Sequence, residues 1–96
     1  MDKSGGVTVN MLNCIAAETK TQDARLNGAY SKVMKELKPE RKKQLLEVQR
    51  AWIRYRDLNC KFYADPEGGT NAAVNSSDCF LSATAGRAKE LENLSE

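Results

Sequence analysis

The stretch Gln49-Arg50-Ala51-Trp52-Ile53-Arg54-Tyr55-Arg56-Asp57-Leu58-Asn59-Cys60 constrains the fold more than any other part of the chain. Wound as a helix, it returns Gln49, Trp52, Ile53, Arg56 and Cys60 to one face, because steps of three and four residues come back to the same side. Leu45 before it and Tyr63 after it lengthen the stripe. That face is apolar at its margins and carries Gln49 and Arg56 near its middle. An arginine there must find a carboxylate or sit at a wet edge, since an unpaired buried charge is strongly destabilising. The cysteine that closes the stripe points to a covalent tie. A small helical domain held by polar locks and a disulfide is what this segment predicts.

A chain of 96 residues has room for one domain and one modest core. Hydrophobic residues make up 41% and charged residues 29%, a balance that folds instead of staying disordered. The formal net charge of +2 is too small to argue for nucleic acid or an anionic membrane. No apolar run approaches the ~20 residues that a membrane helix needs. Met1 is followed at once by Asp2-Lys3-Ser4-Gly5-Gly6, so residues 1–7 read as a tail, disordered or left by trimming, and residues 8–94 as the domain.

Cys14, Cys60 and Cys79 match no zinc spacing, and the chain has no histidine, so neither a metal nor a cofactor is expected. A disulfide is the better reading. Cys60 and Cys79 flank a loop-like segment and form the favoured bridge, worth about 3 kcal/mol in the chain-entropy model. A Cys14–Cys60 bridge stays open, because both residues could lie at the same end of the domain. With Cys60–Cys79 closed, Cys14 is unpaired or lacks its partner. Disulfides belong to oxidising compartments, which favours a bacterial periplasm or cell surface over a cytosolic protein with three buried thiols.

The organisation reads as all-α: an antiparallel helical hairpin plus a third, C-terminal helix, stapled by the disulfide. Thr8 or Asn10 should cap the first helix, which runs to about Leu37. Along it Leu12, Ile15, Thr19, Gln22, Leu26, Tyr30, Val33 and Leu37 form an amphipathic stripe. Lys38-Pro39 breaks the pattern, and Pro39 suits the first turn of a second helix reaching about Tyr63. Asp65-Pro66-Glu67-Gly68-Gly69-Thr70 is turn chemistry, and the small polar run through Ser77 reads as loop or a short irregular helix. Ser77 or Asp78 would cap the third helix, with Phe80, Ala83, Thr84, Arg87, Leu91 and Leu94 inward. The short connection makes the first two helices neighbours. Leu26 should then lie beside Trp52, Tyr30 near Gln49, and Asp23 near Arg56. An Asp23–Arg56 bridge would make Arg56→Ala strongly destabilising. Arg87 poses the same question, with Asp57 or Asp23 as its partner.

Here the residues carry a resemblance. Cys14, Asp23, Leu26-Asn27, Tyr30, Gln49-Arg50-Ala51-Trp52, Arg56-Asp57, Cys60, Gly68-Gly69, Cys79, Thr84, Arg87-Ala88 and Leu91, in that order, resemble the LprI-type lysozyme-inhibitor domain family. The resemblance spans about Cys14 to Leu91, and its Gln-Arg-Ala-Trp…Arg-Asp…Cys block is the most specific part. It implies a small helical domain of bacterial secreted proteins and lipoproteins, an envelope location, disulfide bonding and, for at least one branch, inhibition of lysozyme. It also implies a further cysteine upstream of the one matching Cys14, which this chain lacks. A membrane connection would come only through an N-terminal lipid anchor ahead of residue 1.

Between Lys61 and Arg87 there is no lysine or arginine, while Asp65, Glu67 and Asp78 all fall in that interval. Gathered by the disulfide, residues 65–78 would form an acidic loop, with Gly68, Gly69, Thr70 and Asn71 able to approach a partner closely. Lysozymes cleave with a carboxylate pair in a cleft, and complementary charge speeds encounter with a basic enzyme. Lysozyme or another cell-wall-active protein is therefore the first partner to consider. A different reading uses the outer face of the second helix, where Lys43, Arg50, Arg54 and Lys61 could bind lipopolysaccharide, an acidic glycan or nucleic acid, the last not favoured. A third is a structural or assembly module with Tyr55, Phe62 or Phe80 as contacts. Catalysis is not expected: no histidine serves as base, and no serine or cysteine lies in a nucleophile motif.

Overall fold

The computed structural model describes residues 3–95, with side chains from Val9 onward, Thr70 excepted. Three helices make up the fold: α1 (Lys3–Glu36), α2 (Pro39–Tyr63) and α3 (Gly69–Leu94). Lys38, at φ −70° and ψ 158°, is extended, as the clash with a following proline ring requires. Pro39 then opens α2 where its missing N–H leaves no bond unmade. Glu40 in the first turn of α2 and Lys61 in its last complement the helix dipole.

Every member of the expected α1 stripe, from Leu12 to Leu37, is buried or half-buried. The helix starts at Lys3, ahead of the caps expected at Thr8 or Asn10 and within the stretch read as a tail. Met1, Asp2 and the side chain of Thr8 lie outside the described residues.

The surface that receives the stripe differs from expectation. α3 lies between α1 and α2, which scarcely touch each other beyond their connection. Leu26 and Ala29 of α1 cluster with Ala88 and Leu91 of α3, while Tyr30, Leu45 and Trp52 pack around them. Thr84, Ala88 and Leu91 are wholly buried. Alanine and threonine at the contacts let helices on both sides come close to the axis of α3. Leu26 and Trp52 thus share a core but face α3 instead of each other. Cys60 and Gln49 of α2 meet Cys79 and Arg87 of α3, so α3 runs antiparallel to α2 and parallel to α1. The result is a flattened rod of 57 × 22 × 14 Å with α2 along one edge.

The third helix also begins earlier than expected. Only Ala64–Gly68 forms a connection, and the run from Gly69 through Asp78 is helical, so neither Ser77 nor Asp78 is a cap. Three features hold this polar run in helix. Ala72 is buried, Ser76 Oγ donates to the Cys60 carbonyl at 2.8 Å, and Cys60 is bonded to Cys79 across a Cα–Cα distance of 5.4 Å. Gly69 sits at φ +61°, the left-handed region that other residues enter only with strain. The favoured bridge is formed, the Cys14–Cys60 alternative is not, and Cys14 is exposed and unpaired. Ile53, Tyr63 and Leu94, expected inside, are exposed.

Candidate partner-binding end and groove

The polar locks are differently arranged from the sequence reading. Arg87 is 8% exposed, and its Nε donates to Gln49 Oε1 at 2.9 Å. Its Nη1 donates to Glu90 Oε1 at 3.0 Å, one turn along α3. A buried cation is thus held by a buried amide and an exposed carboxylate, with no part for Asp57 or Asp23. Gln49, expected near Tyr30, takes its hydrogen bond from Arg87.

The expected Asp23–Arg56 bridge does not form. Asp23 is exposed and accepts from Asn27 Nδ2 at 3.4 Å. Arg56 donates instead to its neighbour Asp57 at 3.1 Å. Its guanidinium carbon lies 5.0 Å from the centre of the Trp52 ring and 4.2 Å from that of Phe80. The reason is α3, which intervenes between the two helices and supplies an aromatic face where a carboxylate was expected. Elsewhere on the α1–α3 seam, Arg25 Nε donates to Glu92 Oε2 at 2.7 Å. That hydrogen bond, reinforced by the charge of Arg25, holds the Glu92 carboxyl below the usual carboxylate range.

The acidic interval maps onto one end of the rod. Asp65 and Glu67 are exposed in the α2–α3 turn, where Asp65 Oδ1 accepts from the Glu67 N–H at 3.0 Å and the Asp65 carbonyl from the Gly68 N–H at 2.9 Å. A Cβ on Gly68 would come within 2.9 Å of the Ala72 Cβ, so the turn closes tightly on the start of α3. Asn71 and Asp78 are exposed on the first turns of α3; the side chain of Thr70 lies outside the described residues. The loop expected over 65–78 is therefore a short turn followed by a helical ridge.

Beside that ridge, α2 and α3 enclose a groove of about 880 Å³. Tyr55, Asn59 and Tyr63 line it from α2, and Asn75, Asp78 and Ser82 from α3, with Arg87 and Glu90 at its inner end. Aromatic edges, amides and carboxylates can exchange hydrogen bonds with a polar partner while excluding water. Asp78 belongs to both the groove and the acidic end. Of the remaining groove residues, Asn59, Asn75 and Ser82 were missed. For Asn75 and Ser82 the signal was their helical spacing, which reading the run through Ser77 as loop or a short irregular helix obscures. The basic residues of the alternative reading, Lys43, Arg50, Arg54 and Lys61, are all exposed on α2.

Among family descriptions, that of lysozyme inhibitor LprI matches residues 1–91. The chain belongs to the LprI family. The residues that suggested the resemblance, from Cys14 to Leu91, lie within the match. Membership brings a lysozyme-inhibitor-like role at family level, non-enzymatic in kind and extracytoplasmic in setting. Among the described residues, no helix is long and apolar enough to cross a membrane. No curated protein and no solved structure matches the chain.

Proposed function

We propose that this LprI-family chain is a periplasmic or secreted inhibitor of lysozyme, acting by binding through its acidic end. Asp65 and Glu67 on the turn would meet the enzyme first, and Asp78 with the adjoining groove would complete the contact. What carries the reading, besides the family, is the segregation of charge: Asp65, Glu67 and Asp78 are exposed at one end with no lysine or arginine between Lys61 and Arg87.

The test is lysozyme activity on bacterial cell walls, titrated with the oxidised protein. Glu67→Ala/Asp78→Ala should weaken inhibition by at least about tenfold, as loss of complementary contacts at an interface commonly does. Arg50→Ala/Arg54→Ala, on the outer edge of α2, should leave it unchanged. Full inhibition by the acidic-end variant would remove the proposed surface. Absence of inhibition by the unaltered, folded protein would remove lysozyme as the partner.

A further inference from the structure

An edge helix in a flat bundle needs only one apolar stripe, yet α2 has two. The inner one, Leu45, Gln49, Trp52, Arg56 and Cys60, faces α3 and the core. The other, Val48, Ala51, Tyr55, Leu58 and Phe62, is exposed along its whole length. Val48 is 52% exposed, Tyr55 63%, Leu58 59% and Phe62 80%. The steps between successive members run three, four, three, four, the a/d repeat of a coiled-coil seam. At 1.5 Å per residue the seam is about 21 Å long. Large apolar side chains scattered singly on a surface mean little, but a contiguous row marks a contact.

We infer that α2 pairs with the α2 helix of a second copy of this chain, antiparallel, about a two-fold axis near Tyr55 and Ala51. A two-fold contact brings the same patch to both partners. In the antiparallel register Val48 packs against Leu58 of the second copy, and Ala51 against its Tyr55. The residues flanking the seam decide between directions. On one side stand Glu47, Arg54 and Lys61; on the other stand Trp52 and Asn59. A parallel pair sets each row against the opposite one, so no charges of opposite sign meet. The antiparallel pair sets the charged row against itself, so Glu47 meets Lys61 of the second copy at two symmetric places while Arg54 meets its own copy near the axis. Two attractive pairs against one repulsive pair, where the parallel pair offers none, favour the antiparallel dimer. Such pairing leaves Asp65 and Glu67 at opposite ends of the dimer, open to partners, while Tyr55 is shared between the seam and the groove.

Sedimentation velocity from micromolar to millimolar protein, without lysozyme, tests the inference apart from the inhibitor reading. The unaltered chain should move from monomer to dimer. Leu58→Glu/Phe62→Glu should stay monomeric with unchanged helicity and, at concentrations where the unaltered chain is monomeric, an unchanged melting temperature, because both side chains already face solvent. Glu47→Lys and Lys61→Glu should each weaken the dimer several-fold, and the double reversal should restore it, since each copy again offers opposite charges. Dimerisation insensitive to the Leu58/Phe62 variant, or to both single reversals, would overturn the assignment. A chain monomeric at millimolar concentration would overturn it too. If that monomeric chain loses inhibition with Leu58→Glu/Phe62→Glu, the face belongs to the enzyme.

Discussion

Arg56 and Arg87 both lie near the Trp52 ring, at 5.0 and 5.9 Å from its centre, but they are bound to the fold by different forces. Arg87 is the more deeply buried, and removing it strands the Gln49 amide in the interior. A buried polar group left without its partner costs about 1–3 kcal/mol, and the lost packing of the arginine stem adds to that. Arg56 pairs with a half-exposed Asp57, a contact of small worth, and derives its hold from stacking between Trp52 and Phe80. Arg87→Ala should therefore cost about 2–4 kcal/mol in urea unfolding, and Arg56→Ala about 1–2 kcal/mol. This reverses the emphasis of the sequence, in which Arg56 stood out by its place on the stripe. A larger loss for Arg56→Ala than for Arg87→Ala would mean that the buried amide is not the dominant acceptor. Burial of both arginines was legible from helical spacing. Their partners were not, because spacing within one helix says which way a side chain points and not which helix comes to meet it.

At the scale of elements, α1 and α2 were legible for the same reason that their packing was not. An unbroken three-and-four repeat from Leu12 to Leu37 fixes a face, and Pro39 fixes a boundary. Neither says whether the next helix or the one after it covers that face. The start of α3 was lost to local chemistry: Asn71, Asn75, Ser76 and Ser77 compete for backbone hydrogen bonds and favour turns when considered alone. Tertiary ties overrule that preference, through the Ser76 bond to the Cys60 carbonyl, burial of Ala72 and the Cys60–Cys79 bridge. Those ties predict a local effect of the disulfide. Cys60→Ser/Cys79→Ser should lower stability by about 3 kcal/mol. Hydrogen exchange should accelerate most in residues 69–79, with Leu26 to Val33 of α1 the least altered. Uniform acceleration through all three helices would show that the bridge acts on the unfolded chain alone and that the ridge of α3 stands without it.

Across the whole molecule, charge is divided along the rod. The α1–α2 connection carries Lys35, Lys38, Arg41, Lys42 and Lys43 against Glu36 and Glu40, while the α2–α3 connection carries Asp65 and Glu67, with Asp78 and the single cation Lys61 beside it. α2 joins these ends, and its 25 residues extend about 37 Å at 1.5 Å per residue. The screening length at physiological salt is about 8 Å, so each end presents its own field to an approaching protein. A basic enzyme is attracted by the acidic end and barely senses the distant lysines. Charge at the rim of a contact governs the rate of encounter more than the lifetime of the complex. Glu67→Lys/Asp78→Lys should therefore slow association with lysozyme by about tenfold or more at low salt, within the range of electrostatic steering. That difference should shrink as salt rises. Lys42→Glu/Lys43→Glu, at the other end, should leave the association rate nearly unchanged. Stopped-flow mixing at two salt concentrations separates these outcomes. Equal sensitivity to reversals at both ends would mean that net charge and not the acidic end drives encounter, and the enzyme would then have to be sought along the length of the rod.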